Sequence, residues 1–231
     1  MIWTIPGFLG LPTDWHHFSM KECRAIDLSH FPWNSLPIWS SSFNEWVKKQ
    51  KKEKNILLGY SLGGRLALHC LLEDPSLWHA AIIISAHPGI QDPVQKNGRY
   101  QKDVQWAQRF LHEEWISLLS DWNAQSVFQN ESFSFYRYEK NYQREQLAHI
   151  LKSGSLGRQN HLFDSISYLP MPILWVTGEK DASYCQLASQ LSFSHPFSYW
   201  EKILQSGHRV PWTQPEIFCR KVKKFLEMNG L

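Results

Sequence analysis

A serine flanked by glycines stands in Leu58-Gly59-Tyr60-Ser61-Leu62-Gly63-Gly64, an acid follows far downstream at Asp181, and a histidine follows that in Ser206-Gly207-His208. Hydroxyl, carboxylate and imidazole in one chain suggest a proton relay: the imidazole takes the serine proton, while the carboxylate holds its tautomer and stabilises the imidazolium. The order serine, acid, histidine fits a serine carried on a sharp turn between a strand and a helix. Ser61 meets that condition, because Asn55-Ile56-Leu57-Leu58 reads as a buried strand and Arg65-Leu66-Ala67-Leu68-His69 starts a helix. Such a turn strains the serine and exposes its hydroxyl, and its flanking glycines avoid collision with the neighbouring strand and helix. It also aims the amide of Leu62 at any negative charge that develops on a substrate.

A second amide is expected from Pro6-Gly7-Phe8-Leu9-Gly10, which follows the strand pattern Ile2-Trp3-Thr4-Ile5, and it is assigned to Phe8. Alone, this loop reads equally well as a Gly-rich turn. Glu179 rivals Asp181 for the acid, but Glu179 stands closer to the end of the preceding strand, so Asp181 is preferred. Of the eleven histidines, His208 follows the last strand; His16 and His17 flank an aromatic turn and His112 falls in a charged helix, positions suited to surface or packing.

The elements that must position these groups alternate between short apolar runs and helical patterns, the signature of a parallel sheet with crossover helices. Strands are expected at Ile2 to Ile5, Ala25 to Leu28, Asn55 to Gly59, Ala81 to Ser85, Ile173 to Thr177 and Phe197 to Ile203. Helices include Phe43 to Lys51, Gly64 to Leu72 and Gln214 to Met228. Between about His87 and Leu169 long polar and aromatic helices, Asp103 to Leu111 and Arg144 to Lys152 among them, replace the strands. The expected organisation is one domain over 1–231, with a core of 1–86 and 170–231 and a helical cap inserted at about 87–169.

With 231 residues, 43 % hydrophobic and 19 % charged, the chain has the balance of one globular core. A net charge of +3 gives no reason to expect a nucleic-acid partner. No apolar run approaches the length that spans a bilayer and no signal peptide precedes the first strand, so the cytoplasm is the expected compartment. The four cysteines, Cys23, Cys70, Cys185 and Cys219, form no C-x-x-C pair and are expected as reduced, mostly buried thiols. Nothing in the pattern calls for a metal or an organic cofactor. Oligomeric state is left open.

Several segments beyond the serine turn resemble the menaquinone-pathway lyase family that makes 2-succinyl-6-hydroxy-2,4-cyclohexadiene-1-carboxylate, a branch of the α/β-hydrolase superfamily. They are Gly7-Phe8-Leu9-Gly10 with Asp14-Trp15, Gly59 to Arg65, His87-Pro88-Gly89-Ile90-Gln91, Arg99-Tyr100-Gln101-Lys102-Asp103, Gln105-Trp106-Ala107-Gln108-Arg109-Phe110, Asp121-Trp122 and Ser206-Gly207-His208. The resemblance spans nearly the whole chain, and the Trp-Ala-Gln-Arg-Phe run is its most discriminating part. It implies an α/β-hydrolase fold with a helical cap. The implied reaction expels pyruvate from 2-succinyl-5-enolpyruvyl-6-hydroxy-3-cyclohexene-1-carboxylate, with Ser61, His208 and Asp181 as the base and the amides of Phe8 and Leu62 holding an enolate.

That substrate carries three carboxylates, which arginine forks bind well. The resemblance places Arg65 and Arg99 at carboxylate-binding positions, Tyr60 and Trp122 at substrate contacts, and Arg137 as the candidate for a further cationic position. Each has a plainer reading: Arg65 decorating its helix, Arg99 exposed, and Tyr60 and Trp122 packing among 12 tryptophans and their neighbours. Pro6 departs from the family, which usually has histidine there. Two other functions remain open: a carboxylesterase or thioesterase, such as a pimeloyl-carrier-protein methyl esterase, using the same triad covalently, and an inactive relative that only binds. Arginines converging on the pocket favour the lyase, whereas an apolar channel favours the esterase.

Overall fold

The computed structural model describes every residue except 17, 19–21, 130 and 132. Its first half runs β1 (Ile2–Ile5), β2 (Cys23–Ala25), α1 (Leu36–Lys49), β3 (Ile56–Tyr60), α2 (Leu62–Glu73) and β4 (Ala80–Ile84). Next come α3 (Pro93–His112), α4 (Trp115–Asn123), α5 (Arg144–Ser153) and α6 (Phe163–Ser167), with no strand among the described residues between β4 and β5. The sheet resumes at β5 (Ile173–Gly178) and ends with α7 (Ala182–Ala188), β6 (Tyr199–Ile203), the short α8 (Val210–Thr213) and α9 (Pro215–Met228). The six strands lie in the order β2-β1-β3-β4-β5-β6, every neighbouring pair parallel.

A parallel sheet covered on both faces needs strands that are apolar at every position, and β4, Ala80-Ala81-Ile82-Ile83-Ile84, is buried throughout. Its side chains alternate between two cores, as a two-residue period requires. Ala81 and Ile83 join Leu57, Trp175, Trp39, Phe43 and Leu66 on one side. Ala80, Ile82 and Ile84 join Leu58, Val176, Phe218, Val222 and Phe225 on the other. The α9 residues Phe218, Val222, Phe225 and Leu226 recur at helical spacing and form its buried stripe. Complete burial of each such large side chain contributes roughly 2 kcal/mol.

A third cluster packs α3, α4 and α5 together through Ala107, Phe110, Trp115, Leu118, Leu147 and Leu151, and takes in Leu9 from the loop after β1. Ile166 of α6 belongs instead to the core around α1 and α2.

Some elements differ from the sequence expectation for local reasons. β2 covers Cys23–Ala25 and not Ala25 to Leu28, because the Asp27 side chain accepts from Ser29 N at 2.8 Å and turns the chain into a 3-10 helix at Leu28. β6 starts at Tyr199, and Phe197 lies exposed in the preceding turn. α1 starts seven residues before the expected Phe43, where Ser35 caps the amide of Ile38 and Pro37 occupies the first turn. α3 likewise starts at Pro93, capped by Asp92. The cysteines are free, but Cys70 alone is fully buried; Cys23, Cys185 and Cys219 are partly exposed.

Candidate active site

Ser61 sits between β3 and α2 at φ 53° and ψ −112°, a left-handed conformation that ordinary residues avoid. Close packing holds it there. A Cβ at Gly59 would lie 2.4 Å from Gly63 O, and a Cβ at Gly63 would lie 2.1 Å from Ile5 O, so neither position admits another side chain without moving backbone. The end of β1 and the serine turn are therefore pressed together, which brings the loop carrying Phe8 beside Ser61. Phe8 and Leu62 both line the cavity that contains the serine. Among the described residues no acceptor meets the amide of either.

His208 reaches this turn from the loop before α8. Its Nε2 lies 3.1 Å from Ser61 Oγ, and its Nδ1 lies 2.7 Å from Asp181 Oδ2. Both His208 and Asp181 are buried. Ser85 Oγ donates to the His208 carbonyl at 2.9 Å, and a Cβ at Gly178 would meet Gly207 O at 2.0 Å, so the end of β5 and the histidine loop also pack without space. Glu179 points elsewhere, accepting from Gln205 N at 3.0 Å. A serine, an imidazole and a carboxyl group so arranged can move a proton off the hydroxyl while two amides receive an oxyanion. His16 and His112 are exposed, and His17 lies outside the described residues.

The cavity holds about 680 Å³ and carries Arg65, Arg99, Lys102 and Trp122 on its walls with Ser61 and His208. Arg65 is 8 % exposed and forms no ion pair among the described residues; its Nη1 donates to Gln159 Oε1 at 3.3 Å. Burial, then the charge of Arg99, push its pKa down to about 10. Arg99 differs: its Nε donates to both oxygens of Asp103 at 3.0 Å, and Asp103 also accepts from Ser155 Oγ. Trp122 lines the cavity and packs against Phe8, Trp106 and Phe110.

Tyr60 and Arg137 are not brought to this cavity. They line a neighbouring one of about 40 Å³. The Tyr60 ring packs against Trp212 and His208, behind the imidazole. Both Nη atoms of Arg137 donate to the two carboxylate oxygens of Asp14 at 2.7 Å, with both side chains 8 % exposed and the guanidinium 4.0 Å from the centre of the Phe135 ring. A buried bidentate pair is already satisfied and is costly to break from one side. Arg137→Ala is expected to cost about 3 kcal/mol in urea denaturation, the charge of Asp14 being left buried, while the KM of the cavity's ligand changes by less than about twofold.

Residues not singled out from the sequence also reach the cavity. His87 and Tyr184 line it, as does Glu131, whose Oε1 accepts from Arg209 N at 2.7 Å next to His208. The signal for Tyr184 was its place one helical turn after Asp181; nothing local pointed to Glu131.

A family model described as serine aminopeptidase, S33, matches residues 40–196. A 2-succinyl-6-hydroxy-2,4-cyclohexadiene-1-carboxylate synthase of Pectobacterium atrosepticum is 30 % identical over 216 residues, covering 88 % of this chain and 78 % of that protein. One of Yersinia enterocolitica is 30 % identical over 251 residues, covering 100 % and 87 %. Among solved structures, MenH from S. aureus aligns with a TM-score of 0.86 at 20 % identity, covering 100 % of this chain and 95 % of that one. A thermophilic esterase from Thermogutta terrifontis aligns with a TM-score of 0.73 at 18 % identity, covering 99 % and 89 %. The fold is the α/β-hydrolase fold that the sequence led us to expect.

Proposed function

Because the chain belongs to the serine aminopeptidase S33 family and to that of the 2-succinyl-6-hydroxy-2,4-cyclohexadiene-1-carboxylate synthases, we propose that it makes this compound by eliminating pyruvate from 2-succinyl-5-enolpyruvyl-6-hydroxy-3-cyclohexene-1-carboxylate. It is an enzyme of the α/β-hydrolase family. In this reading Ser61 Oγ, relieved of its proton by His208, takes the ring proton next to the succinyl ketone. The electron pair moves to the ketone oxygen, where the amides of Phe8 and Leu62 receive the enolate. As the ketone re-forms, the pair returns to the ring: a double bond forms between carbons 2 and 3, the double bond between carbons 3 and 4 shifts to carbons 4 and 5, the bond from carbon 5 to the enolpyruvyl oxygen breaks, and the imidazolium supplies the proton that the leaving group needs. Asp181 keeps the imidazole oriented and stabilises its charged form. Residues of α3, α4 and α5 act as a cap over the site.

The observation that carries the reading is Arg65. A guanidinium that is buried beside the nucleophile and has no carboxylate partner among the described residues is costly, unless a ligand supplies the charge. A substrate with three carboxylates does so, and Arg99, partly exposed on the same cavity, offers a second fork. The same triad would serve an ester hydrolase, and the likeness to a thermophilic esterase supports that second reading. The cationic wall favours the lyase, since a neutral ester would leave Arg65 unmatched. Arg65→Met, which keeps the stem volume, is expected to raise KM for pyruvate release on the order of 30-fold, the loss of one charged hydrogen-bond set, with a smaller change in kcat. An unchanged KM would remove Arg65 from the substrate site and with it the main support for the lyase.

A further inference from the structure

Two uncharged donors lie on the same wall as the arginines and have no part in the triad. Tyr184, on α7 one turn after Asp181, sets its ring edge against His208 with centroids 4.7 Å apart. It also meets the ring of His87 edge-on at 6.2 Å. Its hydroxyl has no protein hydrogen-bond partner among the described residues, and the side chain is half-buried against the cavity. Both Arg65 and Arg99 act on it electrostatically. His87 Nδ1 accepts from Gly89 N at 3.0 Å, so in the neutral ring the proton sits on Nε2. Burial, with Arg65 and Arg99 nearby, pushes the His87 pKa down to about 4, which keeps the ring neutral at pH 7. Nε2 likewise has no protein acceptor among the described residues, and His87 faces the same cavity.

Two fixed cations and two neutral donors around one space match a particular ligand end. Guanidinium forks take a carboxylate. Neutral donors complement an uncharged oxygen, and leaving them unpaired on closure is what penalises a ligand lacking it. We propose that Tyr184 and His87 form a donor pair that reads the oxygen on the carbon next to the carboxylate held by Arg65 and Arg99. This end of the cavity is thereby specific for an α-oxygenated carboxylate such as an enol ether or a 2-oxo acid. The inference deepens the lyase reading and rests on it, because the enolpyruvyl group is such a carboxylate and pyruvate is its product.

The test measures binding without turnover. Calorimetric titration of the wild-type protein with pyruvate and with propanoate, which lacks the α oxygen, is expected to show about a tenfold preference for pyruvate, the worth of one to two neutral hydrogen bonds. Tyr184→Phe keeps the ring contact with His208 and removes the donor; it is expected to lower that preference about fivefold and to leave propanoate affinity within about twofold. Retained propanoate binding also shows that the variant is folded. His87→Ala should act in the same direction. An unchanged ratio in Tyr184→Phe, an equal loss of both ligands, or no binding of either by the wild-type protein would overturn the proposal. A wild-type protein that prefers pyruvate but releases none from the enolpyruvyl substrate would retain the pocket and discard the lyase; turnover without the preference would do the reverse.

Discussion

Replacement of Ser61 by alanine is expected to lower the rate of the proposed pyruvate release by about 10³-fold or more, within the range for loss of a positioned base. With Oγ absent, the 3.1 Å link from His208 Nε2 ends in empty space, and the imidazole sits one atom too far from the substrate carbon. The remaining parts persist. Phe8 and Leu62 still line the cavity, and His208 is still held by Asp181 at 2.7 Å. The variant is therefore expected to bind substrate with affinity within about threefold of wild type and to keep a residual rate from electrostatic stabilisation alone. The turn itself should survive, because its hydrogen bonds run through backbone: Ser61 N donates to Ile84 O and Arg65 N to Ser61 O. Single-turnover measurement of pyruvate release, with titration of the product for affinity, separates the two effects. Loss of binding in parallel with rate would assign Ser61 a structural role instead.

Alanine at Gly63 is expected to be worse for the fold than any substitution in the triad. Its Cβ would lie 2.1 Å from Ile5 O and 2.4 Å from Pro6 O, which are backbone atoms at the end of β1 with no rotamer to escape through. Relief requires α2 to move away from β1, which breaks the packing of Leu62 and Leu66 and separates the Phe8 amide from Leu62. The cost is expected at about 3 kcal/mol or more, at the upper end for overpacking because the obstacle is backbone. Urea denaturation should show the midpoint falling with the slope unchanged, and pyruvate release should fall with it even at temperatures where the variant is folded.

What could be read in the sequence was what is local in sequence. The serine turn announces itself because the strand before it, the glycines that pack it and the helix after it are contiguous, and β3, β4 and β5 are apolar at consecutive positions because both faces are covered. The order of the three triad residues then singled out Asp181 and His208, and the structure brings both to Ser61. Edges were harder. β2 gave way to a turn at Asp27, since a side-chain hydrogen bond two residues on outcompetes a short edge strand. The wall of the cavity was only partly legible. Arg65 follows the serine by one helical turn, and its burial comes from that position. Arg137 carries no local sign that Asp14, distant in sequence, holds it in a bidentate pair. Tyr184 and Trp122 are both aromatics among many, and only the assembled fold separates a residue whose polar end faces a cavity from one that packs.

The central claim is tested most directly by presenting the purified protein with the enolpyruvyl cyclohexene substrate, made in place by the enzyme of the preceding step, and following pyruvate together with the absorbance of the conjugated diene. The account predicts that both appear together in equal amounts, many turnovers per enzyme, at a rate that the Ser61→Ala variant loses. Pyruvate and diene at no more than the uncatalysed rate, in a protein that still hydrolyses simple esters, would contradict it and make this cavity that of an esterase.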